Sequence, residues 1–157
     1  MTLHASFPLS MSQVAVELGL SLPLSVNHPW IVALAQKSGL PVSFSDLLGK
    51  TGRFDGNVAI NATGFGPMSA PLFGATLVQL TGAFNGTILT QANINFATGT
   101  WPPNYTGKLL LTNNTTGISC VCTQTIPGGS PSWSNQSPPQ NVIRANVTDN
   151  FTILPSN

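Results

Sequence analysis

The chain has 157 residues, 41% of them apolar, yet Asp, Glu, Lys and Arg together make only 6% and the formal net charge is +1. That length suits one core rather than a multidomain enzyme, and the charge fraction is far below the roughly 25% of an average soluble domain. Five scattered basic residues form no phosphate-tracking stripe, which excludes a nucleic-acid binder, and near-neutral copies repel one another little, which favours association.

Eight Phe, three Trp and many Val, Ile and Leu spread along the chain argue for a folded rather than a disordered protein. Charge is confined: all acidic residues but Asp149, and all basic ones but Lys108 and Arg144, lie in the first 55 positions, and residues 56–107 carry none. At the same point the apolar pattern changes from helical to alternating. The expected organisation is therefore an N-terminal helical arm over residues 1–55 and an antiparallel β domain over residues 56–157.

In the arm, Ser10 or Ser12 caps a helix running to Leu18, and Gly19 stops it. Asn27 is the expected cap of a second helix with Pro29 in its first turn and Gly39 and Pro41 at its end. Ser43 with Asp46 three residues on reads as a capping box for a third short turn closed by Gly49. Helices this short need a neighbour to persist. The neighbour that buries Leu18, Trp30, Leu34, Phe44 and Leu47 is either the following domain or another subunit; with Leu22, these residues form the expected assembly interface.

Beyond the boundary, Val58, Ile60 and Ala62 alternate with polar or small residues, as do Ile88, Thr90, Ala92, Ile94 and Phe96. Further strands are expected over 75–81, 108–112, 118–126, 143–148 and 151–154, with Asn85-Gly86 and Asp149-Asn150 as tight turns. Gly64-Phe65-Gly66 reads as a bend. The Pro-rich residues 127–139 are expected to form an exposed loop. Seven short strands make the fold mainly β, an antiparallel β-sandwich or Greek-key barrel preceded by an arm of short helices.

Chemistry is sparse. Gly49-Lys50-Thr51 copies the end of a phosphate-binding loop, but Phe44 stands where its first glycine belongs. A paired-carboxylate glycosidase would need Asp55 and Asp149 brought together; Asp46 and Asp55 are near each other in sequence, but Lys50 and Arg53 lie between them, so local surface pairing is the expectation there. Cys120 and Cys122 lie about 6.7 Å apart on one face of a strand, which suits neither a disulfide nor zinc and predicts two reduced, buried thiols. No catalytic, metal or cofactor-binding residue is assigned. No secretory leader and no apolar run of about 20 residues is read, so the eight Asn-x-Ser/Thr sequons are taken as reflecting composition.

One stretch carries a resemblance. Met11-Ser12-Gln13-Val14 with Glu17-Leu18-Gly19, Leu22-Pro23-Leu24-Ser25-Val26-Asn27, Ala33-Leu34-Ala35, Ser43-Phe44-Ser45-Asp46-Leu47 and Gly49-Lys50 together resemble a recurring module of tailed-bacteriophage virion proteins. The likeness spans residues 9–55, and the order and spacing of its pieces agree with the pattern. Val32 departs from it, standing where arginine is usual, and so does Leu48, standing where arginine or another polar residue is common. The resemblance implies a structural protein of the tail, baseplate or fibre apparatus, located in the virion after synthesis in the host cytoplasm.

The expected partners are other virion proteins, with several copies per particle, no nucleic acid and no membrane insertion. Two alternatives stand beside this reading. One is a receptor-binding β module gripping a cell-surface glycan through Trp101, Tyr105 and Trp133, whose rings lie beside Pro and Asn and could stack on sugars. The other is a capsid decoration protein.

Overall fold

A computed structural model describes residues 2–99, 105–125 and 131–157. Among these residues three short helices precede eight strands. Helix α1 (Met11–Leu18) begins in a reciprocal capping box in which the Ser10 N–H donates to Gln13 Oε1 at 2.7 Å and Gln13 N–H to Ser10 Oγ at 3.3 Å. It ends at Gly19, left-handed at φ 65°. Helix α2 (Pro29–Leu34) is capped by His28, whose Nδ1 accepts the Trp30 N–H at 3.2 Å, and not by Asn27. With Pro29 as first helical residue, the capping position falls at 28. The helix also stops before Gly39 and Pro41, because Gln36 turns left-handed at φ 58°. In α3 (Phe44–Leu47), Asp46 accepts the Ser43 N–H at 2.8 Å, closing the expected box.

The strands are β1 (Phe54–Ile60), β2 (Phe65–Leu72), β3 (Ala75–Asn85), β4 (Ile88–Phe96), β5 (Lys108–Asn113), β6 (Ile118–Thr125), β7 (Ser132–Asn135) and β8 (Val147–Ser156). All pairings are antiparallel, in the order β1-β8-β5-β6-β7-β4-β3-β2. The fold is mainly β, a nearly closed, barrel-like sheet. Its seam lies between β1 and β2, where the Asn61 N–H donates to Phe65 O at 2.9 Å. A Cβ built on Gly66 would stand 2.4 Å from Ile60 Cδ1 and 2.7 Å from Val58 Cγ1, so the missing side chain lets β2 lie against β1.

Three strand expectations are corrected. The Gly64-Phe65-Gly66 bend opens into β2, a strand whose Pro67 and Pro71 disguise its alternation and which sits at the end of the strand order, where proline is tolerated. Within the Pro-rich stretch, Ser132–Asn135 forms β7, inserted between β4 and β6 with Trp133 pointing inward; residues 126–130 lie outside the described residues. Asp149-Asn150 is no turn but the interior of β8, and residues 143–146 precede that strand.

Among the described residues one hydrophobic cluster joins arm and barrel. It contains Leu3, Val14, Leu18, Ile31, Leu34 and Leu47 together with Leu72, Phe73, Leu80, Ile94, Trp133 and Phe151. Gly52 marks the joint: a Cβ there would meet Leu18 Cδ2 at 2.8 Å and Leu34 Cδ1 at 3.1 Å. Side chains from α1 and α2 rest directly on the backbone that feeds β1.

Candidate functional site

The expected assembly stripe is largely consumed inside the chain. Leu18, Leu34 and Leu47 are fully buried in the common core, and Trp30 and Phe44 are half-buried against it. That corrects the reading of these side chains as a docking stripe, for the physical reason that the barrel itself supplies the neighbour short helices need. Of the six, only Leu22 stands well exposed, at 56%.

Other apolar groups take its company. Phe7, Val16 and Leu40 are also exposed, so four of the seven large apolar side chains at the described surface belong to residues 7–40. Val16 points away from Val14 and Leu18, on the outer side of α1. It lines a hollow of about 280 Å³ with Thr2, Leu3, His4, Ser12 and Gln13. The sequence carried a signal for Val16, since an apolar residue off the buried stripe of an amphipathic helix has no internal partner. Phe7 and Leu40 each precede a proline in irregular chain, where no periodicity marks them.

Beneath this surface the arm is fastened by polar contacts. Glu17 is buried, and its Oε1 accepts the Gly52 N–H at 2.8 Å and the Arg53 N–H at 3.1 Å. Burial pushes its carboxyl up from the ordinary value, only partly opposed by those amides, and Oε2 has no hydrogen-bond partner among the described residues. The Leu3 N–H donates to Lys50 O, the Gly49 N–H to His4 O and the Phe73 N–H to Thr51 O, at 2.9, 2.9 and 2.7 Å. Lys37 pairs with Asp46 at 2.8 Å, and this contact together with the Ser43 N–H holds the Asp46 carboxyl well below its usual range.

The carboxylates do not converge. Asp55 is bound by Arg53 at 2.5 Å and accepts from Thr152 Oγ1 at 2.7 Å on the outer face of β1. Asp149 faces inward from β8, held by Arg144 and by Asn113 Nδ2 at 2.7 Å. They lie on opposite faces of the sheet, each committed to its own arginine, so the paired-carboxylate geometry of a glycosidase is not formed between them. Among the described residues no three His, Cys, Asp or Glu side chains cluster. Cys120 and Cys122 are free thiols, both buried from one face of β6, and the Cys122 thiol is pushed up by its neighbour Cys120 and by burial.

The aromatic glycan contacts are also corrected. Tyr105 is 3% exposed, stacked on Phe73 with centroids 4.5 Å apart, and its hydroxyl donates to Lys108 O. Burial drives its phenol upward. Trp133 is 0% exposed, edge-on to Phe96 at 5.1 Å, with Nε1 donating to Gly107 O at 2.7 Å. Neither ring can lie on a sugar from inside the core, and Trp101 lies outside the described residues. The face above Trp133 has another character. A trough of about 600 Å³ is lined there by Gln91, Asn93, Asn95, Thr125, Ser132, Ser134 and Gln136.

No protein-family model, no curated protein and no solved structure matches the chain. No helix among the described residues is long and apolar enough to cross a membrane.

Proposed function

We propose that this chain is a structural component of a phage particle, of the tail, baseplate or fibre apparatus, acting through protein–protein assembly rather than catalysis. The observation that carries the reading is the exposed apolar set Phe7, Val16, Leu22 and Leu40 on the N-terminal layer of a chain with almost no charge to keep it apart from its neighbours. The module resemblance over residues 9–55 supports the same layer as the attachment element. Its inner side is spent on the barrel, which leaves the outer side for other virion proteins or further copies of itself.

The test replaces Phe7 and Leu22 together by serine, both being more than half exposed and therefore nearly silent for folding. Supplied to assembling particles in place of the wild type, the variant should keep its thermal midpoint and be lost from purified virions. Incorporation at the wild-type level would remove the N-terminal layer as the anchor. A density map of the particle would then separate tail from head decoration.

A further inference from the structure

We infer that the outer face of β3, β4, β7 and β6 is a binding site for a neutral oligosaccharide. The inference is independent of the assembly reading, and either can fail alone.

Strand register builds the site. Asn95 of β4 stands opposite Ser132 of β7, which stands opposite Thr125 of β6; one step along, Asn93 opposes Ser134, which opposes Thr123. On the other side of β4, Thr81 of β3 opposes Asn93. Because side chains alternate across a strand, all of these share the outer face, while Ile94 and Trp133 between them point into the core. Gln91 and Gln136 complete the trough.

The lining has one chemical character. It consists of four carboxamides and three hydroxyls, and β3, β4, β6 and β7 contain no Asp, Glu, Lys or Arg. An anionic or nucleic-acid partner would need cations there, and a protein partner would need apolar or aromatic anchors; the trough offers neither. What it offers is donors and acceptors interleaved at side-chain spacing, which complements sugar hydroxyls, since each of these both donates and accepts. A volume of about 600 Å³ accommodates a short oligosaccharide.

The groups are also positioned in advance. Asn93 and Asn95 each donate Nδ2–H to Thr81 Oγ1 at 3.3 Å, Thr125 and Ser132 hydroxyls lie 2.8 Å apart, and Gln136 donates to Ser134 Oγ at 3.1 Å. Among the described residues, no hydrogen bond is made by the Gln91 amide or by Oδ1 of Asn93 and Asn95, so these remain for a ligand. The amides on the β1–β8–β5 side behave differently: Asn150 donates to Asn57 at 2.9 Å, and Asn114 to Asn150 at 2.7 Å, satisfying one another. Beneath the trough, Trp133 and Phe96 give it a packed floor. Little order has to be gained on binding.

The experiment is calorimetric titration of the full chain with a panel of neutral hexose and N-acetylhexosamine tri- and tetrasaccharides, alongside sialylated counterparts and an unstructured peptide mixture. At least one neutral oligosaccharide is expected to bind. The Gln91→Ala, Asn93→Ala, Asn95→Ala triple variant should lose that binding, and Asn57→Ala should keep it. If the triple variant does not fold, Gln91→Ala alone serves, because its amide holds nothing among the described residues; roughly tenfold weaker binding is expected. Absence of binding to every neutral sugar, binding of only the sialylated sugars or the peptides, or undiminished affinity in Gln91→Ala would each overturn the assignment.

Discussion

Asp149 occupies an inward position of β8, where an ionised carboxylate is tolerable only because Arg144 grips both of its oxygens and Asn113 donates to one of them. Arg144 comes first among the causes that hold its carboxyl below the ordinary value of 3.8. For an acid lowered in the folded state, the stabilising contribution is complete above the unfolded value and is lost as pH falls through the folded one. Asp149→Asn should therefore cost about 2–3 kcal/mol near neutrality, less than a fully buried pair would, because the guanidinium reaches solvent. Chemical denaturation of both proteins from pH 7 to pH 3 should show the gap closing once the pH passes below 3.8. A constant gap would mean that the ion pair contributes nothing through its charge. Glu17 acts with the opposite sign: its raised carboxyl contributes fully below 4.5 and progressively less as pH rises, so only a comparison of variants isolates the Asp149 limb.

Among the elements, the β1–β2 seam depends most on one residue type. Gly66 faces Val58 and Ile60, both 2% exposed and held by core neighbours, so an added methyl has nowhere to displace them. Gly66→Ala should lower stability by about 1–3 kcal/mol, the cost of overpacking. Gly39→Ala, where an added Cβ meets nothing within 4 Å, is its control and should leave the denaturation midpoint unchanged. Equal behaviour of the two variants would show that the seam is not tightly packed. The helices follow another logic. Their caps are local and readable, but their burial is not, because the surface they cover belongs to Phe73 and the residues around Gly52.

Across the whole molecule the arm and barrel share one core. Deleting residues 2–50 would remove Leu3, Leu18, Ile31, Leu34 and Leu47 from that cluster and uncover their partners, as well as the Gly52 and Arg53 amides that Glu17 satisfies. The truncated chain should aggregate when expressed alone, as light scattering and size-exclusion chromatography would reveal. A soluble, monomeric barrel would instead mean that the arm is only loosely applied. This arrangement makes the exposed side of the N-terminal layer, rather than its stripe of leucines, the part left over for a partner.

Local rules sufficed wherever a signal lay within a few residues. The Ser10 and Ser43 caps, the Gly19 stop, the Asn85-Gly86 hairpin and the alternation of β4 were all legible, because capping and pleating act between near neighbours. Where a distant partner changed the outcome, the sequence alone misled. Asp149-Asn150 reads as a turn until Arg144 and Asn113 neutralise it within a strand, and Trp133 reads as a loop aromatic until β7 slots between β4 and β6 and turns it inward. The fates of Leu18, Leu34 and Leu47 were undecidable from their own helices, since an apolar stripe states that burial is required but not against what. The polar trough arises the same way. Asn93, Ser134 and Thr123 are scattered in sequence and become neighbours only through register, which is fixed when Ile94 and Trp133 must both face the core.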